Sequence, residues 1–229
     1  MKNLSEKELI IYNYVLKHKV QIPYMSVRDL ARATFTSNAT VLRFVKKLGY
    51  DSYLEFKYEI KKELSKPTTG GKNDRKEIFH CLQQLNTEYY NQKLSKVSNI
   101  LKKQHQLLFL GIGNSSYVAD YGARIFMTHN HHAFKIQDPY ARINNVQLPV
   151  ALIVLSVSGN TDEVIESVEH WKSLGVTVIA ITSNSDNRLS RISDYILPYY
   201  LNEQRINDID FTSQIPPMFI LEELAERVS

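Results

Sequence analysis

The chain has 229 residues, 43% hydrophobic and 23% charged, which is enough apolar material for one core and enough length for two. One cysteine, Cys81, excludes an internal disulfide, and no run approaches the roughly 18 apolar residues of a membrane span. The net charge of +4 is unevenly spread: residues 1–66 hold 13 Lys+Arg against 7 Asp+Glu, leaving the remainder slightly acidic, as a separate polyanion-binding head would produce.

At the start, Glu6, Lys7 and Glu8 interrupt the apolar residues, so no secretion signal is expected and the cytoplasm is the expected location. Helices come first. Ser5-x-x-Glu8, Ser26-x-x-Asp29 and Ser52-x-x-Glu55 have the capping-box spacing, in which a hydroxyl and an acid satisfy free amides at a helix start. Each precedes apolar residues at helical spacing: Leu9, Tyr12 and Leu16; Val27, Leu30 and Ala31; Tyr53, Phe56, Ile60 and Leu64.

Between the last two lies the segment Ser37 to Tyr50. Val41, Phe44, Val45 and Leu48 form an apolar stripe, Gly49 suits a left-handed terminator, and the opposite face carries Asn38, Thr40, Arg43, Lys46 and Lys47. A helix from Ser26 to Thr34, a tight turn through Phe35 and Thr36, and this cationic helix make the helix-turn-helix pattern. Its second helix enters the major groove, so Ser37, Asn38, Thr40, Arg43, Lys46 and Lys47 are the expected DNA contacts. A solvated helix would mix acids among its lysines for i,i+4 pairing, whereas Ser37 to Tyr50 contains none.

The run Ser37, Ala39, Thr40, Val41, Arg43, Phe44, Lys47, Leu48, Gly49 and Tyr50, followed by Ser52, Glu55 and Phe56, resembles the DNA-binding domain of the RpiR family of bacterial sugar-metabolism regulators. The resemblance implies a homo-oligomer, dimer or tetramer, that places recognition helices in the two half-sites of a palindromic double-stranded operator.

The stretch Ser65 to Asn73 has proline, paired glycines and no large apolar residue, which divides the chain into a head at 1–66, a linker at 67–75 and a body at 76–229. In the body, apolar runs at Leu107–Ile112, Val150–Leu155 and Val176–Ile181 alternate with helical patterns, predicting a parallel sheet covered on both faces. The expected fold class is therefore an all-α bundle followed by an α/β three-layer sandwich.

Two strand-to-helix loops carry chemistry. The first, Gly113-Asn-Ser-Ser116, offers glycine and hydroxyls at a helix start, where free amides and the dipole favour an anion. Gly111-x-Gly113 lacks the third glycine of a dinucleotide fingerprint, which Ser116 replaces, so no nicotinamide or flavin cofactor is expected. The second, Ser156-Val-Ser158-Gly-Asn-Thr161, sets three hydroxyls around a glycine, suited to enclosing a phosphate without a cation. It resembles the S-x-S-G-x-T signature of the sugar isomerase (SIS) domain, a flavodoxin-like fold. By that likeness Asn114, Ser115, Ser116, Ser156, Ser158 and Thr161 would hold a phosphorylated sugar.

An aldose-ketose isomerase with an accessory DNA-binding domain remains the alternative to a regulator; it needs a base to move a proton between adjacent carbons, for which Glu163, Glu222 and Glu223 are candidates, and a group that opens the ring. The cluster His129-x-His131-His132 has no matching Cys or acidic ligands, and no metal is expected. Pro216 and Pro217 are expected to kink or delay the last helix.

Overall fold

The computed structural model describes residues 4–19, 21–64, 75–207 and 209–229, and the side chains of 62–64 and 206 lie outside that description. Most of the expected linker therefore falls outside the described residues. The chain separates into two units, Met1–Gly70 and Gly71–Ser229.

The first unit contains α1 (Glu6–Lys17), a 3-10 turn at Ile22–Tyr24, α2 (Val27–Ala33), α3 (Asn38–Lys47) and α4 (Tyr53–Leu64). Reciprocal capping boxes start α1 and α2, with Ser5 paired to Glu8 and Ser26 to Asp29. At α4 the box is offset: the Glu55 amide donates to Ser52 Oγ at 3.0 Å, while its carboxylate accepts from Asp51, one residue earlier, at 2.6 Å. Phe44, Val41, Leu30, Phe56 and Ile60 form the centre of this core.

The face of α1 differs from expectation. Ile11 and Val15 pack inward, whereas Leu9 and Leu16 are 48% and 56% exposed. Helical spacing fits both stripes, and the inward choice follows Glu8, which is buried beside Ile11 and Val15 because it is bound by Ser5 and Lys47.

The second unit opens with α5 (Arg75–Leu85) and α6 (Glu88–Leu101). It continues with β1 (Gln106–Gly111), α7 (Asn114–Thr128), β2 (Ala133–Lys135), β3 (Val150–Leu155), α8 (Asp162–Ser173) and β4 (Thr177–Thr182). Then come α9 (Arg188–Ile192), β5 (Tyr195–Pro198), a short ribbon of β6 (Arg205–Ile206) and β7 (Ile209–Asp210), and α10 (Ile215–Val228). The five strands of the main sheet are joined by four parallel pairings in the order β2-β1-β3-β4-β5, the flavodoxin-like arrangement of a doubly wound sheet.

Alternation along the strands builds both outer layers. Leu107, Phe109, Ile153 and Ile179 face a core shared with Leu94, Phe126, Leu221 and Leu224, while Leu108, Leu152, Val154 and Val178 face Val164, Val168, Trp171 and Leu189. All six residues of β3 are buried, as a central strand covered on two faces requires. Pro216 and Pro217 sit in the first turn of α10, where a missing N–H costs nothing, so they start that helix and do not kink it. Cys81 donates to the Tyr199 carbonyl and is buried, which pushes its thiol up to about 12 and marks it as a core residue.

Candidate functional site

In the first unit, α2 ends on Phe35, whose φ of 51° is left-handed, and the Thr36 amide closes back to the Ala31 carbonyl at 2.8 Å. The chain then turns into α3 with Ser37 as its cap: Ser37 Oγ accepts from the Thr40 amide at 3.2 Å and shares a 2.8 Å bond with Thr40 Oγ1. Gly49 adopts the left-handed conformation at the far end, with the Tyr50 amide on the Val45 carbonyl at 3.3 Å.

Ser37, Asn38, Arg43 and Lys46 are exposed along one side of α3. Thr40 is not on that face: it is 8% exposed and spends its hydroxyl on the helix start. Lys47 reaches the carboxylate of Glu8 at 2.8 Å, tying α3 to α1. That ammonium, seconded by the Ser5 amide, lowers the Glu8 carboxyl to about 2.

In the second unit the strand order reverses between β1 and β3, so the connections leaving the carboxyl ends of those paired strands run to opposite sides and leave a cleft of about 140 Å³. From the β1 side it is lined by Ile112, Gly113, Asn114 and Ser115, and from the β3 side by Ser156, Val157, Ser158 and Thr161. Five of the six expected ligand residues thus meet in one place, while Ser116 is absent from the described lining and turns its amide to the Gly113 carbonyl at 3.0 Å.

Both helices that open on the cleft begin without a side-chain cap: α7 at Gly113 and α8 at Thr161. Of the other helices, α1, α2, α3, α6 and α9 have a side-chain cap, and α10 starts without one. Two sets of first-turn amides are thereby left facing a common space, with the positive ends of two helix dipoles.

The loops are held tightly. Gly111 lets α7 approach the end of β1, since a Cβ there would lie 2.3 Å from the Ser115 carbonyl oxygen. Gly159 has φ of 63°, and a Cβ on it would strike the Asn187 side chain at 2.3 Å. Asn187, buried, donates to Thr182 Oγ1 at 3.0 Å and the Asn184 carbonyl at 2.9 Å, bracing the second loop from behind. Ser156 Oγ accepts from the Gly159 amide and Ser158 Oγ from the Asn160 amide, each at 3.2 Å, so both hydroxyl protons stay available to a ligand.

Two lining residues had no signal in the sequence. Arg205 and Asp210 reach the cleft from the β6–β7 ribbon, whose two-residue strands are too short to show periodicity. Asn114 Nδ2 donates to the Asp210 carbonyl at 2.9 Å and joins this ribbon to the first loop.

The candidate bases lie elsewhere. Glu222 accepts from the Tyr121 hydroxyl, Glu223 pairs with Arg227 at 3.0 Å, and Glu163 lies near the Tyr140 hydroxyl, whose pKa is raised by desolvation and then by that carboxylate. His129 bonds Ser229 Oγ, and among the described residues no group of three His, Cys, Asp or Glu side chains is placed to hold a metal ion. No helix among the described residues is long and apolar enough to cross a membrane.

Residues 1–67 match the model of the helix-turn-helix domain of the rpiR family, and residues 100–225 match the SIS domain. An uncharacterized HTH-type transcriptional regulator of Clostridium perfringens is 27% identical over 98% of this chain and 86% of its own length. The HTH-type transcriptional regulator GlvR of Bacillus subtilis is 22% identical over 96% of this chain and 88% of its own length. Among solved structures, the Vibrio vulnificus NanR protein complexed with ManNAc-6P shares the fold at a TM-score of 0.59 and 22% identity, covering 100% of this chain and 88% of that one. A DNA-binding head of one matched type joined to a body of the other leaves one conclusion: the chain belongs to the rpiR family of helix-turn-helix transcriptional regulators that carry a SIS domain.

Proposed function

We propose that this regulator binds a palindromic double-stranded operator through the exposed side of α3 and that a phosphorylated sugar, held in the cleft between β1 and β3, changes that binding. Residues 1–66 act as the DNA-binding domain, 67–75 as the linker and 76–229 as the effector domain of a cytoplasmic homo-oligomer. The observation that carries the sensing half is the pair of uncapped helix starts, α7 and α8, opening on one hydroxyl-lined cleft at the switch point of the sheet. Serine and threonine protons and backbone amides are donors that a phosphate accepts from all sides. ManNAc-6P, with which the NanR neighbour is complexed, belongs to the same chemical class.

On α3, Asn38 stands at the helix start, where base edges are within reach, and Arg43 and Lys46 follow on the same side to meet guanine or phosphate. Ser37 and Thr40 set the start of the helix and Lys47 its seat on α1. We read the domain as a sensor and not an enzyme because none of Glu163, Glu222 and Glu223 is among the described residues lining the cleft.

Operator fragments selected in vitro and titrated by fluorescence anisotropy, with and without sugar phosphates, test the proposal. Arg43→Ala is expected to weaken operator binding by about 1–3 kcal/mol while sugar-phosphate binding, read by thermal shift, is retained. The Ser156→Ala, Ser158→Ala double variant should do the reverse. Unchanged behaviour of both proteins, or turnover of a sugar phosphate by the isolated body, would overturn the proposal.

A further inference from the structure

The two hydroxyl loops offer only neutral donors, yet the cleft is not neutral. Asp210 lines it, and the first turn of α8 adds Asp162 and Glu163 beside the second loop, Asp162 being paired with Arg188. A phosphate monoester brings a charge of about −1.5 to −2 at neutral pH. The amides and helix dipoles favour it, and Asp210 opposes it.

Arg205 stands across the ribbon from Asp210: the two are partners in the antiparallel register of β6 and β7. It is the one cation among the described residues lining the cleft. Its other charged neighbour is Glu203, with Arg205 Nε 3.8 Å from the carboxylate, the long limit of an ion pair, and the side chain is 54% exposed. The guanidinium is thus near the anion site without being committed to the fold.

The ribbon that carries it is anchored at its base. The Phe211 amide donates to the Gln204 carbonyl at 2.7 Å, the Gln204 amide to Thr212 Oγ1 at 2.9 Å, and the Thr212 amide to Asp210 Oδ1 at 2.9 Å. Thr212 is buried, and the Asn114 bond fixes the ribbon to the first loop. Strand register, these bonds and the cleft therefore place one arginine opposite two uncapped helix starts.

We propose that Arg205 is a specificity-determining residue of the effector site: it supplies the charged contact that offsets Asp210 and selects ligands bearing a phosphate dianion over the corresponding free sugars. The proposal rests on the sugar-phosphate reading of the cleft. A planar guanidinium gives a phosphate two parallel bonds, which hydroxyls cannot match, while Asp210 is left to accept from a sugar hydroxyl.

Isothermal titration of the full chain with glucose 6-phosphate, fructose 6-phosphate and N-acetylmannosamine 6-phosphate, each beside its unphosphorylated sugar, tests it. The tightest ligand is carried to Arg205→Ala, Arg205→Lys and Ser158→Ala. Arg205→Ala is expected to weaken phosphate-ester binding by about 10- to 100-fold with the melting temperature unchanged, and Arg205→Lys to recover part of the loss. Wild-type affinity should rise as the phosphate loses its second proton near pH ~6, and that rise should flatten in Arg205→Ala. If Ser158→Ala loses binding while Arg205→Ala binds as wild type with the same pH profile, the role of Arg205 is overturned and the sensor reading stands. If none of the three phosphates binds the wild-type chain, both are overturned.

Discussion

Phe35 occupies a position that sterics reserve for glycine. It follows the C-cap of α2, has φ of 51°, and is 97% exposed, so no packing recovers the cost of its conformation. A Cβ in the left-handed region costs ~1–2 kcal/mol, of which the greater unfolded-state freedom of glycine returns roughly half. Phe35→Gly is therefore expected to stabilise the head by about 0.5–1 kcal/mol in a denaturant melt. Gly159 presents the opposite case. Its positive φ and its approach to Asn187 leave no room for a methyl group, so Gly159→Ala should displace the second loop and abolish the thermal shift given by sugar phosphates while operator binding persists. The motif revealed that a glycine follows the second serine of the loop. That Asn187 is what fills the space behind it came from a residue 28 positions further on.

At the scale of elements, the contact between α1 and α3 makes part of the head's stability titratable. The Glu8 carboxyl lies at about 2 in the folded chain, held down by Lys47, against an ordinary 4.5. Since the folded value is below the unfolded one, this contribution is complete above about pH 5 and is lost progressively as the pH falls toward 2. Lys47→Met should therefore be less stable than wild type at pH 7 and lose less stability on acidification to pH 3, as followed by urea melts at each pH. Equal losses in the two proteins would show that the pair contributes nothing. The capping boxes, the stripe of α3 and the three long strands were legible because each is a local pattern of spacing. The buried face of α1 was not, since both of its apolar stripes satisfy the same period and only contact with α3 separates them.

For the whole molecule, the division into Met1–Gly70 and Gly71–Ser229 places α3 and the hydroxyl-lined cleft in separately packed units. A fragment of residues 71–229 is expected to fold cooperatively, to bind sugar phosphates with the affinity of the full chain and to bind no operator; a calorimetric melt with and without ligand, followed by anisotropy with operator DNA, checks all three. A fragment that fails to fold would show that the head supports the body. Coupling between the units is a separate quantity: the effector alters DNA binding only by the difference in its affinity for the two DNA-binding states.

Sequence alone determined the kinds of element, the helix-turn-helix pattern from Ser26 to Tyr50, and the hydroxyl loops at 113–116 and 156–161, because capping, turn chemistry and hydrophobic period act over a few neighbouring residues. Tertiary structure decided which of those residues share a site. It buried Thr40, bound Lys47 to Glu8, left the three candidate bases out of the cleft lining, and brought Arg205 and Asp210 to it on a ribbon with no pattern to read. The physical reason is range: parallel pairing of β1 with β3 joins residues 44 positions apart, the return of the chain before α10 joins residues 96 apart, and no local rule of spacing encodes either approach.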